Sequence, residues 1–226
     1  MAIHAVIVAG GTGSRMGNAL PKQFLPLAGK PIMYYCIKHF LDAFGDDVQL
    51  TIVMHPSYTS HFNDVLLCFA KGLNANIVAG GETRFESVKN GIMSIDGDAQ
   101  DIVMVHDAAR PFANAELLKQ LHQAVLQHGS ALPVLPIAES MRLVKDNTSE
   151  PIVREHYRIV QTPQCFTLQT LLEAFSQPYQ STFTDEATVV QTSGGDVHLV
   201  EGMAQNIKLT TPQDLAYAEF LLQQTK

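Results

Sequence analysis

The stretch Ala9-Gly10-Gly11-Thr12-Gly13-Ser14-Arg15-Met16-Gly17, followed by Pro21-Lys22, holds the residue types that phosphate chemistry needs. Glycines at 10, 11 and 13 let the backbone curl tightly and expose a row of N–H groups, a cradle for phosphate oxygens. Arg15 and Lys22 set two fixed positive charges beside it. The P-loop pattern fails, because Gly29-Lys30 is followed by Pro31 and Phe24 stands where the first glycine belongs. The dinucleotide fingerprint fails as well: its third glycine comes one residue late, at Gly17, and Pro21 to Pro26 delay the next helix to about Pro31. A glycine loop that ends in Arg-Met and leads into Pro-Lys points instead to nucleotidyl transfer.

Further candidates follow other apolar runs. Asp107 succeeds Asp101-Ile102-Val103-Met104-Val105-His106. A carboxylate at the end of a central strand can hold Mg²⁺, which binds through one or two carboxylates plus substrate phosphates. The bland alternative makes Asp107 a helix cap. Ala108 and Ala109 are small enough to admit a ligand, and Arg110 adds charge next to them. In Gly80-Gly81-Glu82-Thr83-Arg84-Phe85-Glu86-Ser87 two glycines permit contact with a flat base. Arg84 and Ser87 share one helix face there, within reach of a base edge or a phosphate. Taken alone, this is an ordinary strand-to-helix junction with a surface arginine. Thr184 or Asp185 reads as a helix cap. Lys208, between Ile207 and Leu209, is half-buried by its context and needs an anionic partner. The histidines show no metal-ligand spacing.

The elements that must position these residues alternate along the chain. Strands are expected at 3–8, 48–54, 75–79, 101–106, 130–137 and 196–200, and helices at 31–44, 56–71, 84–95, 114–128, 167–176, 184–193 and 212–224. Such alternation predicts an α/β fold: a Rossmann-like, mostly parallel sheet with helices on both faces, in a single domain over 1–226. Ligands in such sheets gather at the carboxyl ends of the strands, which selects the loops after 8, 79 and 106. One segment breaks the rhythm. Residues 139–158 hold β-formers at 141–144 and 151–154 around a polar turn at 145–150, a projecting hairpin whose edges need cover from a partner subunit.

Composition narrows the partners. A net charge of −7 over 226 residues argues against nucleic acid or an anionic membrane. Of 15 Lys and Arg residues, Arg15, Lys22, Arg84, Arg110, Arg154 and Lys208 lie in glycine-, proline- or turn-rich contexts, which predicts an electropositive pocket on a negative body. No apolar run is long enough for a membrane span, and the first residues lack the pattern of a signal peptide. Cys36, Cys68 and Cys165 are widely spaced in apolar patterns, the usage expected of reduced thiols in a cytoplasmic protein.

With these motifs assembled, the chain resembles the 2-C-methyl-D-erythritol 4-phosphate cytidylyltransferase family over essentially its whole length. The likeness rests on Ala9–Met16, Pro21-Lys22-Gln23, Gly80–Ser87, His106–Pro111, Arg154, Thr162-Pro163-Gln164, Thr184-Asp185-Glu186-Ala187 and Asn206-Ile207-Lys208. It implies transfer of CMP from CTP to a sugar-alcohol phosphate with Mg²⁺ and release of pyrophosphate, in a homodimer joined by a β-arm. It further implies that Ala9, Gly81 and Ser87 face the cytosine, Arg15 and Lys22 the triphosphate, and Asp107 the metal. Ser140 of the arm, Arg154 and Thr184, with Arg110, would hold the acceptor, and Lys208 would lie near the reacting phosphorus. Val8, Gly10 and Ser140 depart from the family's frequent proline, alanine and threonine, although Ser140 keeps the hydroxyl. The Gly-Gly form of the loop is shared with ribitol 5-phosphate cytidylyltransferases, the alternative reading, whereas Ala108-Ala109 and Thr184–Ala187 favour the methylerythritol acceptor.

Overall fold

A computed structural model describes residues 1–11, 20–69 and 72–224. Strands β1 (Ile3–Val8), β2 (Pro26–Leu27), β3 (Lys30–Pro31), β4 (Val48–Met54), β5 (Ala75–Ala79) and β6 (Ile102–Asp107) occupy the first half of the chain. They are followed by β7 (Ser130–Pro136), β8 (Arg142–Lys145), β9 (Thr148–Pro151), β10 (Arg158–Val160), β11 (Gln164–Thr167) and β12 (Leu199–Glu201). The helices are α1 (Ile32–Phe44), α2 (Thr59–Leu66), α3 (Arg84–Met93), α4 (Ala115–His128), α5 (Leu168–Ala174), α6 (Glu186–Thr192) and α7 (Pro212–Gln224).

The main sheet runs β10-β7-β11-β6-β1-β4-β5, with β12 on the other edge of β7. β1 is central and pairs in parallel with β4 and β6, so Val8 lies opposite both Val53 and Asp107. Strand period explains the layers. Ala5 and Ile7 pack with Ile37, Phe40 and Leu121 on the face of α1 and α4. Val6 packs with Val88, Val105 and Leu171 on the face of α3 and α5. The Gly29-Lys30 dipeptide belongs to a tight hairpin: Ala28 (φ 48°) and Gly29 (φ 83°) form the two-residue turn between β2 and β3.

Three expectations need correction. β11 runs antiparallel between β6 and β7, and β10 continues it along β7, so the parallel sheet carries an antiparallel insert that the alternation did not reveal. The helix expected over 56–71 is shorter, a turn at Pro56–Tyr58 followed by α2, with 70–71 outside the described residues. In the arm, β8 pairs with β9 through a turn of only Asp146 and Asn147, and Asp146 takes the left-handed φ of 49° that aspartate tolerates. The second arm strand is therefore 148–151 rather than 151–154, and Arg154 opens the helical turn Arg154–His156.

Candidate active site

The carboxyl ends of β1, β4, β5 and β6 converge because the backbone keeps pairing past the strands. Ala9 N–H donates to Val53 O (2.7 Å), Ala108 N–H to Val8 O (3.1 Å) and Gly80 N–H to Met54 O (2.9 Å). A cavity of about 380 Å³ opens there, lined by Ala9–Gly11, Lys22, Gly81, Arg84, Ser87, Asp107, Ala108 and Lys208. Elements distant in sequence thus deliver one cluster of predicted residues to one place. A larger cavity of about 1070 Å³ sits around His4, Asn76 and Asp96 at the opposite strand ends and contains none of these groups. Arg15 and Gly13 lie outside the described residues.

Asp107 is the electrostatic centre. Its carboxylate lies 2.8 Å from Lys208 Nζ, 3.4 Å from Arg84 Nη2 and 3.5 Å from Arg110 Nε. Burial pushes its carboxyl up, but Arg84, Lys208 and Arg110 outweigh that and hold it well below the usual carboxylate range. Lys208 has found the anionic partner its context required. Asp107 does not cap a helix: α4 starts at Ala115, capped by Asn114, whose side chain accepts from Leu117 N–H. Arg84 is also bound to Glu186, at 2.5 and 3.2 Å through both Nη atoms. Glu186 is fully buried, and burial raises its pKa against the opposing pull of Arg84. Arg84 therefore bridges two carboxylates, where sequence reasoning aimed it at a base or phosphate.

The Asp107 turn is held from beneath by a directed chain. His106 is completely buried, and burial lowers its pKa to about 4, so the ring is neutral at pH 7. Its Nε2 lies 2.9 Å from Arg110 O, which can only accept, so Nε2 carries the proton. Nδ1 then accepts from Thr162 Oγ1 (3.1 Å), and that oxygen accepts from Asp107 N–H (3.1 Å). Buried Asn206 completes the support: its Nδ2 donates to Thr162 O (2.8 Å), and its O accepts from Arg110 Nη1 (2.9 Å). Arg110 is thereby tied into the framework under Asp107.

The glycines at the rim have specific reasons. A Cβ on Gly81 would stand 2.3 Å from Glu86 Cβ, and one on Gly80 3.1 Å from Ser87 Oγ. Glu86 is fixed in a capping box with Thr83 at the start of α3. Ser87 Oγ accepts from Gly81 N–H (3.1 Å) and donates to Thr83 O (3.0 Å), so its proton is committed and one lone pair is left. A Cβ on Gly11 would meet nothing within 4 Å.

The chain matches the family model for 2-C-methyl-D-erythritol 4-phosphate cytidylyltransferase over residues 3–224. It belongs to that family. It is 42% identical to the protein of that name from Phocaeicola vulgatus, over 97% of this chain and 99% of the relative. With the Bacteroides thetaiotaomicron protein the identity is 39%, over 96% and 98%. The crystal structure of the Thermus thermophilus cytidylyltransferase superposes with a TM-score of 0.79 at 30% identity, covering 99% of this chain and all of that one.

The residues that the cytidylyltransferase resemblance assigns to the acceptor are not gathered in this cavity. Arg154 is half-exposed at the base of the arm, where it pairs with Glu155 (3.4 Å) and donates to Ala138 O. Ser140 and Thr184 are exposed, and the cap of α6 is Asp185, which accepts from Thr188 N–H (2.9 Å). Sequence reasoning gave no role to Thr162, Glu186 or Asn206. All three are buried polar residues inside quoted motifs, and their mostly polar flanking sequence carries no signal of that burial.

Proposed function

We infer that this chain, as a member of its family, transfers CMP from CTP to 2-C-methyl-D-erythritol 4-phosphate and releases pyrophosphate at the cavity over β1 and β6. The observation that carries the reading is the Lys208–Asp107 pair (2.8 Å) lining the same cavity as Lys22 and the glycine turn. The acceptor phosphate is already a nucleophile near neutral pH, so no general base is needed. The difficulty is an anion approaching an anion, which alignment for in-line attack and neutralisation of the equatorial oxygens overcome. Lys22 and Lys208, with Arg15, supply that charge. Ala9 and Gly81 leave room for one flat ring, and the lone pair of Ser87 suits the amino edge of cytosine.

The donor set fits a magnesium ion shared with substrate. Among the described residues no group of three or more His, Cys, Asp or Glu could hold a metal alone, and Asp107 is an ionised carboxylate at the cavity wall. Asp107 would hold the ion, which would supply further neutralisation of the triphosphate. The arm supports a homodimer: Leu143, Val144 and Val153 are exposed on it, and a second copy would cover them while bringing Ser140 and Arg154 to its neighbour's site. No helix among the described residues is long and apolar enough to cross a membrane. The three free cysteines are the usage of a reducing compartment and support a cytoplasmic enzyme.

The test is pyrophosphate release with CTP, ATP or GTP against methylerythritol phosphate or ribitol 5-phosphate. Turnover confined to CTP with methylerythritol phosphate is expected. Equal turnover with purine nucleotides, or preference for ribitol phosphate, would overturn the reading.

A further inference from the structure

Gln23 is 2% exposed, an unusual burial for a glutamine next to a cavity lysine. It sits in the helical turn Lys22–Phe24, and its amide reaches back to the start of the glycine loop. Nε2 lies 2.6 Å from Ala9 O and 3.4 Å from Gly11 O. Both its hydrogens thus go to alternate carbonyls of the segment that closes the cavity floor. The turn is anchored on its other side by Phe24, whose ring lies 6.0 Å from Tyr58 and 5.8 Å from His61.

Peptide geometry gives this contact a consequence. In a planar trans peptide the carbonyl and the following N–H point in opposite directions. With Ala9 C=O directed at Gln23, Gly10 N–H is directed away from it. A peptide flip there would present a carbonyl oxygen where an N–H now stands, and an oxygen repels a phosphate that an N–H attracts. Gly10 has no Cβ and so tolerates the φ that such a flip would give it.

We propose that Gln23 is a positioning residue for nucleotide binding: it fixes the peptide orientation of the Ala9–Gly11 loop and couples that loop to the turn that carries Lys22. The inference rests on reading this cavity as the CTP site, and wild-type turnover of CTP in the same assay tests that reading separately.

The experiment compares Gln23→Glu and Gln23→Met with wild type in thermal melting, kcat and the two separate KM values. Glutamate keeps the shape but sets oxygens against two carbonyls, and methionine keeps the bulk without a donor. The KM for CTP should rise about 10- to 100-fold in Gln23→Glu and less in Gln23→Met, the scale of unsatisfied buried hydrogen bonds. The KM for methylerythritol phosphate should stay within about twofold, because the acceptor does not bind the loop. A KM for CTP that is unchanged in both variants would overturn the proposal. Equal rises in both KM values, or failure of both variants to fold, would make Gln23 a structural core residue and overturn it too.

Discussion

Arg84 and Glu186 are 102 positions apart, yet the guanidinium at the start of α3 closes on the carboxylate at the start of α6 through both Nη atoms. One of those atoms also faces Asp107 at 3.4 Å. Charge therefore alternates from buried Glu186 through Arg84 and Asp107 to Lys208 at the cavity. Glu186→Gln leaves Arg84 without its main partner, and breaking a buried pair on one side costs roughly 3–5 kcal/mol. Urea unfolding should register that loss. Replacing both partners, as Arg84→Met with Glu186→Leu, should recover much of the stability without restoring turnover. A Glu186→Gln variant as stable as wild type would show that the pair does not support the fold.

Acid stability should carry the signature of His106. Burial holds the folded ring neutral down to about 4, whereas the unfolded chain takes up a proton below about 6.5. Between those values the unfolded state binds more protons, so stability falls as the pH drops through this window. The loss should total roughly 3 kcal/mol by pH 4, at about 1.4 kcal/mol per pH unit. Denaturant titrations across that range should show a flatter acid limb for His106→Gln than for wild type. Parallel limbs would mean that His106 is protonated in the fold.

Ser87 retains only acceptor capacity toward a base. Ser87→Ala should therefore lose more with CTP, whose base offers an amine, than with UTP, whose base offers a carbonyl. The CTP-to-UTP ratio of kcat/KM should fall by about 5- to 20-fold, the scale of one hydrogen bond. An unchanged ratio would remove Ser87 from base recognition.

Much of this site was legible because its parts sit where two periodic patterns meet. Strands that end at Val8, Ala79 and Asp107 are apolar or alternating, and each is followed by glycine, alanine or a charge. A lysine between Ile207 and Leu209 pointed to an anionic partner, but only the structure shows that partner to be Asp107. The antiparallel β11 was hidden because Gln164-Cys165-Phe166-Thr167 is short, opens on a polar residue and runs directly into α5. Gln164 serves as a clamp, accepting from Ala187 N–H at 2.8 Å, a partner that local pattern cannot supply. The same holds for His106, Thr162 and Asn206, whose partners come from three separate loops. The arm turn was placed too wide because Thr148-Ser149-Glu150 is polar, and an exposed two-stranded arm has no buried face to impose alternation.

The arm reading makes each active site composite, with Lys22 from one chain and Arg154 from the other. Lys22→Ala and Arg154→Ala should each be nearly inactive alone. Refolded together in equal amounts, half the dimers are mixed and each carries one intact site, which restores about a quarter of wild-type activity under two-fold symmetry. No recovery, with mixed dimers confirmed by mass, would assign Arg154 to its own subunit.

The central claim is that fixed positive charge around Asp107 performs the transfer. The kcat of Lys208→Ala, measured with saturating CTP and methylerythritol phosphate, tests it most directly. The account predicts a fall of about 10²- to 10³-fold, the usual effect of removing one preorganised charge from a transition state, in a protein that still folds cooperatively. A kcat within about threefold of wild type would contradict it.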